Sequence, residues 1–264
     1  MTIRLAAVEY GADAQNSRPV LAILHGLFGS ARNWDSIARR LAVHRRVIAF
    51  DLRNHGASEW ADGMEYAEMA DDVWAALHDR GHRRYALLGH SMGGKAAMIA
   101  ALNHPEEAER LIVADIAPVG HPPRHLDYVQ AMLGLDLSSI TRRGEADARL
   151  AATVPDPAER AFLLQNLVFD DRRPRWRLNL TAIGHEMATL SGFPTVEPGR
   201  VYRGPALFVA GGRSDYLLPE HAPMIRWLFP AAQIERIESA GHWLHAEQPA
   251  GFLALVEPFL AGGI

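Results

Sequence analysis

Short apolar runs punctuate the chain, and each stops at a glycine or a polar residue. Residues 20–24 end at His25-Gly26, 46–50 (RVIAF) at Asp51, 85–88 at Gly89, 111–114 at Asp115 and 206–210 at Gly211-Gly212. Each is nearly continuous in hydrophobicity, which predicts strands covered by helices on both faces. Residues 233–238 read as a further strand. Between the runs, Trp34, Ile37, Ala38 and Leu41 recur at helical spacing, as do Met69, Val73, Ala76 and Leu77. Residues 92–102 are rich in Ala and Met, good helix formers. A last helix is expected from about Pro249. Strands alternating with helices predict an α/β fold on a mostly parallel sheet.

The alternation breaks between His121 and Arg203. No strand is expected there, and helix-like segments around 128–133, 144–152 and 158–168 are separated by Pro and Gly. Arginines are frequent: Arg142, Arg143, Arg172, Arg173, Arg175 and Arg177. The stretch is too long for one crossover. It reads as a helical cap, residues 121–203, inserted in a core made of 1–120 and 204–264.

Composition narrows the classes. A formal net charge of -4, from 27 Lys+Arg against 31 Asp+Glu, gives no general attraction to nucleic acid. The absence of cysteine removes disulfides, thiolate metal sites and cysteine nucleophiles together. No secretory signal is read at the N-terminus, and no membrane span is expected, because no run reaches about 18 apolar residues. The cytoplasm is the default location. None of the 13 histidines stands in a metal-binding spacing, so neither a metal nor a cofactor is expected.

The strongest local signal is Gly89-His90-Ser91-Met92-Gly93, followed by Gly94. It fits G-x-S-x-G, with a predicted strand before it and a predicted helix after it. That context makes a nucleophile elbow, a sharp turn that lifts a serine hydroxyl above the sheet of an α/β-hydrolase fold. Acyl transfer at Ser91 needs two N–H donors for the developing oxyanion. The amide after the nucleophile, Met92, supplies one. The loop His25-Gly26-Leu27-Phe28-Gly29 follows an earlier strand and supplies the other, Leu27 before Phe28. Leu27 also reads as a pocket wall. The general base must be a histidine able to reach the serine. His242, in Gly241-His242-Trp243 after the last strand, satisfies the chain order of this fold; His245 is its competitor. Two aspartates qualify as the acid that orients the histidine. Asp215 follows strand 206–210 and precedes His242 by 27 residues (242 − 215); Asp115 follows Ser91 by 24 (115 − 91). Pattern alone prefers Asp215.

The segments HGLFGSARNW (25–34), DLRNHGAS (51–58), LGHSMGGKAAM (88–98), DIAPV (115–119), WRLNL (176–180) and AGHWLHAE (240–247) resemble the YbfF-type esterases. These are α/β hydrolases with a small helical cap, and a mitochondrial hydrolase is among their relatives. The resemblance runs over nearly the whole chain. It implies hydrolysis of short-to-medium acyl esters, and of acyl-CoA thioesters such as palmitoyl- or malonyl-CoA. It carries over Ser91 and His242. It also moves the acid to Asp115, because family members often lack a carboxylate at the position of Asp215. This chain has both, so Asp215 stays in play.

Around these residues, His25, Phe28, His90, Trp176 and Trp243 are expected to contact substrate, with Phe162 beside Trp176 in the acyl pocket. Arg53, Asn54 and His55 either shape the pocket or fix their own loop by hydrogen bonds. Lys95 reads as a partner-paired structural lysine, or else as an attractor of an anionic substrate. The cap arginines suit phosphates of CoA, though a solvated helical face is the simpler account. The expected partner is a small-molecule acyl ester or acyl-CoA. The rivals are a cofactor-free haloperoxidase or C–C hydrolase with the same triad, and a ligand receptor on the same scaffold.

Overall fold

The computed structural model describes residues 1–11, 18–169 and 174–262. The chain begins with β1 (Ala7–Tyr10), β2 (Val20–Leu24), α1 (Asp35–Leu41), β3 (Val47–Phe50), α2 (Tyr66–Asp79), β4 (Tyr85–His90), α3 (Met92–Asn103) and β5 (Ala108–Ala114). An insert follows: α4 (Leu126–Leu133), α5 (Arg143–Leu150), α6 (Pro157–Leu164), β6 (Leu167–Phe169), β7 (Pro174–Trp176), α7 (Leu180–His185) and α8 (Met187–Ser191). The chain then completes the sheet with β8 (Ala206–Gly211), α9 (Ala222–Leu228), β9 (Ala232–Ile237), α10 (Leu244–Glu247) and α11 (Pro249–Ala261).

Seven strands form one sheet in the order β1-β3-β2-β4-β5-β8-β9, parallel except for β1, which runs antiparallel to β3. Residues β2, β4 and β8 are buried throughout because helices cover both faces. Along β2, Val20, Ala22 and Leu24 join the core shared with α2 and α3. Leu21 and Ile23 join the core under α1 and α11, with Ile37, Phe252 and Val256. Each such Val, Leu, Ile or Phe side chain, fully buried, contributes about 1.5–3 kcal/mol, so strands with two buried faces anchor the sheet. After β2 the chain steps to β3 on one side, and β4 lies on the other side of β2. The strand order therefore reverses between β2 and β4, and a crevice opens outside their carboxyl ends.

The insert departs from expectation in two places: α7 and α8 lie outside the segments that read as helices, and a short ribbon stands where a helix was expected to continue. The helix-like pattern over 158–168 stops at Leu164, and Leu167–Phe169 pairs antiparallel with Pro174–Trp176. The side chain of Asn166 donates to Leu163 O (3.2 Å) and to Phe28 O (2.8 Å). It thus adds a side-chain donor to a carbonyl at the helix end that already accepts from Asn166 N at 3.1 Å, and it ties that end to the loop after β2. β1 was also not foreseen; it is an edge strand with Val8 and Glu9 exposed. Arg172 and Arg173 lie outside the described residues. Among the described residues no helix is long and apolar enough to cross a membrane.

Candidate active site

The turn between β4 and α3 sets Ser91 at φ 52°, ψ −120°, a backbone conformation that L-residues avoid. The surroundings enforce it. A Cβ on Gly93 would stand 2.4 Å from the carbonyl oxygens of Leu24 and His25, and one on Gly89 would stand 2.2 Å from Gly93 O. Only glycine at both positions lets α3 start directly at the serine, whose carbonyl accepts from Lys95 N at 3.1 Å. The N-terminal end of α3 favours negative charge at this point.

His242 lies in the loop after β9. Its Nδ1–H donates to Asp115 Oδ2 at 2.7 Å. Asp115 stands at the end of β5 with φ 49° and is fully buried. Gly211 N–H donates to its Oδ1 at 2.8 Å, and the Ser214 hydroxyl donates to its Oδ2. A buried carboxylate needs such donors, and here three groups supply them. The Tyr216 ring stacks on the His242 imidazole at 4.1 Å and 26°. The His242 carbonyl accepts from His90 Nε2 at 2.8 Å.

Asp215 is elsewhere. Its side chain is 56% exposed and bonds Arg124 Nη1 and Nη2 at 2.9 and 2.6 Å. The Arg124 guanidinium holds the Asp215 carboxyl below the usual carboxylate range. The pattern-based preference for Asp215 differs from the geometry: its carboxylate is held by Arg124 of the insert, while His242 pairs with Asp115. The sequence reading missed Ser214 and Tyr216, which flank Asp215 and do reach the Asp115–His242 pair. The polar cluster after β8 was the available signal; spacing could not say which of its side chains points inward.

The loop after β2 is held by two neutral histidines. His25 Nδ1–H donates to Gly26 O at 2.8 Å, and its Nε2 accepts from Leu52 N at 2.9 Å. His55 Nδ1–H donates to Arg53 O at 2.8 Å, and its Nε2 accepts from Phe28 N at 3.2 Å. Burial pushes His25 down to about 4 and His55 to about 3. Phe28, at φ 61°, has thus committed its N–H and is removed as an oxyanion donor, which leaves Leu27 as that loop's candidate.

A cavity of about 120 Å³ is lined by Leu27, Phe28, Ser91, Met92, His242 and Trp243, together with residues of the insert. Phe162 packs against Trp243 at 5.4 Å. Trp176 does not line it. It pairs with Leu167 in the ribbon and packs on the core, because β7 turns it away from the crevice. His25 and His90 border the cavity, but His25 has both ring nitrogens engaged by backbone and His90 its Nε2, so they brace loops instead of offering these atoms to substrate. Lys95 is buried and donates to Ser191 O (3.1 Å) and Gly192 O, tying the end of α8 to α3; burial lowers it to about 8. Arg53 is buried in a bidentate pair with Asp72 at 2.7 and 3.1 Å, a structural role. Arg143 donates to Leu164 O and Leu167 O, and Arg142 pairs with Glu145.

The family model of the α/β hydrolase fold matches residues 19–249. The chain belongs to that family. Relatives of the hydrolase include the sn-1-specific diacylglycerol lipase ABHD11 of Mus musculus, 39% identical over 94% of this chain and 83% of that protein. Esterase YbfF of Escherichia coli is 31% identical over 94% of this chain and 96% of its own length. A solved marine microorganism esterase superposes with a TM-score of 0.92 at 35% identity, covering 98% of this chain and all of that one. The hydrolase is a carboxylic ester hydrolase, as the expected fold and reaction class had it.

Proposed function

We propose that the protein cleaves carboxylic esters through an acyl-enzyme on Ser91, with His242 as general base and Asp115 as the acid behind it. The observation that carries this is the bond of 2.7 Å between His242 Nδ1 and a fully buried Asp115, beside a strained serine that borders the same cavity. His242 Nε2 takes the proton of Ser91 Oγ as the oxygen attacks the acyl carbonyl. The N–H groups of Leu27 and Met92 hold the oxyanion, each such donor being worth about 10²–10³ in rate. Asp115 stabilises the imidazolium and fixes its tautomer. The leaving alcohol takes the proton from His242, and water then releases the acid by the same steps in reverse order of partners.

Residues 121–203 act as a cap on a core of 1–120 and 204–264. Asn166 on Phe28 O and Asn179 N–H on Asn54 O (3.0 Å) support this, since they tie the insert to the loops of the site. A cavity of about 120 Å³ supports a short acyl chain; an engineered void of about 150 Å³ holds a benzene. Thioesters such as acyl-CoA follow the same chemistry and are the finer reading of the leaving group. The cytoplasm is the default location, with which the cysteine-free composition agrees, and cell fractionation checks it. The activity test is turnover of p-nitrophenyl esters from acetate to palmitate, with the matching CoA thioesters. A maximum at butyrate to hexanoate is expected, and a maximum at palmitate overturns the short-chain reading.

A further inference from the structure

His90 is the variable residue of the elbow motif, yet its ring meets each part of the site. It is 4% exposed and precedes Ser91 on the chain. Its Nε2–H donates to the carbonyl oxygen of His242 at 2.8 Å. On its other side a Cβ on Gly26, in the loop that carries Leu27, would stand 2.8 Å from His90 Nδ1, so that loop's backbone lies against the imidazole. The remaining surface packs on His245 (ring centroids 4.9 Å) and Trp34 (6.4 Å), and His245 in turn stacks flat on Trp34 at 4.0 Å and 7°. The imidazole is therefore packed among the Gly26 loop, His245, Trp34 and the His242 ring (4.6 Å), and it makes one directed bond. That bond ends on the backbone of His242 itself.

We infer that His90 is a positioning residue for the ester hydrolysis, a strut that sets the height of His242 over Ser91 by holding the His242 carbonyl. Nucleophile and strut are adjacent in sequence, so any movement of the elbow carries the base with it. Burial, together with the nearby His242 and His245, keeps His90 neutral. With Nε2 donating, the neutral ring leaves Nδ1 unprotonated against the Gly26 loop, and the strut persists when His242 becomes an imidazolium during turnover. A displacement of a catalytic group by about 1 Å is enough to lower a rate by about 10²-fold. The strut acts on the chemical step and not on substrate contact, so its loss falls on kcat.

The inference rests on the roles given above to Ser91 and His242. It is tested with three substitutions that separate the donor from the ring. Gln places an amide nitrogen near the position of imidazole Nε2, Asn places one near Nδ1, and Phe keeps the ring without a donor. The expected result with p-nitrophenyl butyrate is that His90→Gln stays within about 5-fold of wild-type kcat. His90→Asn and His90→Phe are expected to fall by about 10²-fold in kcat with KM within about 3-fold, and the rate of Ser91 labelling by a fluorophosphonate is expected to fall in parallel. Melting temperatures are read beside the rates, and if His90→Asn does not fold, His90→Phe carries the comparison. Wild-type kcat in His90→Asn or His90→Phe overturns the inference. So does an equal loss in His90→Gln and His90→Asn, which assigns the ring to packing alone. Failure of the underlying mechanism is distinct, because Ser91→Ala would then keep its turnover.

Discussion

Acid should loosen the loop that carries Leu27 before it denatures most of the sheet. His25 and His55 both accept a backbone N–H through Nε2, and protonation would destroy both acceptors. Their folded pKa values, about 4 and about 3, lie below the ordinary 6.5 because burial disfavours the charged ring. The unfolded chain therefore binds more protons than the folded one as pH falls below 6.5. Stability is fully present above that value and is lost progressively down to about 4 for His25 and about 3 for His55. At pH 5, 1.5 units below the unfolded value, each histidine removes about 2 kcal/mol, and the pair about 4 kcal/mol. That is a large part of the roughly 5–15 kcal/mol that holds a domain together. The assay is urea unfolding followed by tryptophan fluorescence at pH 7.5, 6 and 5, in wild type and in His55→Gln, whose side-chain oxygen still accepts from Phe28 N. The variant should be weaker at pH 7.5 by about 1 kcal/mol, for the lost bond to Arg53 O. It should then lose about 2 kcal/mol less than wild type on going to pH 5. Equal acid losses in the two proteins would refute the assignment of neutral, accepting histidines.

Other consequences follow from single side chains. Asp115→Asn should lower kcat by about 10³–10⁴, since it withdraws the charge behind His242, whereas Asp215→Asn should change kcat by less than about 3-fold and stability by at most about 1 kcal/mol, because its pair with Arg124 is exposed; the reverse ranking in steady-state kinetics would return the role to Asp215. Gly93→Ala should destabilise by about 1–3 kcal/mol or more in chemical unfolding, since its Cβ has no room beside Leu24 O and His25 O. Phe162→Ala should shift the preferred acyl length of the ester panel, while Trp176→Ala should leave it in place, as only Phe162 faces the cavity; a shift in Trp176→Ala alone would redraw the pocket.

The interior of the fold was legible because two-sided burial writes itself as unbroken apolar runs. Residues 20–24 coincide with β2, and 206–210 fall one residue short of β8. The edges were not. In β1 only Tyr10 is buried, so its residues carry no pattern that distinguishes a strand from a loop. In the insert, Leu167 and Val168 continue a helical spacing, and the turn away from it is made by Asn166, a tertiary bond to Phe28 O that no local rule contains. The elbow was readable for a steric reason: Gly89 and Gly93 are demanded by backbone contacts within a few residues or from the neighbouring strand. The acid was ambiguous for the opposite reason. Asp115 and Asp215 both follow strands, and only the three-dimensional partners, Gly211 N–H and Ser214 for one and Arg124 for the other, separate a buried carboxylate from an exposed one. The braces His25 and His90 were visible as residues but not as braces, since Leu52 N and His242 O lie far along the chain; for His55 the bond within its own loop was legible and the bond from Phe28 N was not.

The central claim is that Ser91 forms a covalent acyl-enzyme. Intact mass spectrometry of protein quenched in acid during turnover of p-nitrophenyl butyrate tests it most directly. The account predicts a mass increase of one butyryl group, mapped by peptide digestion to Ser91 and absent from Ser91→Ala, which also loses turnover. An unmodified protein with a Ser91→Ala variant that still turns over the ester would contradict it.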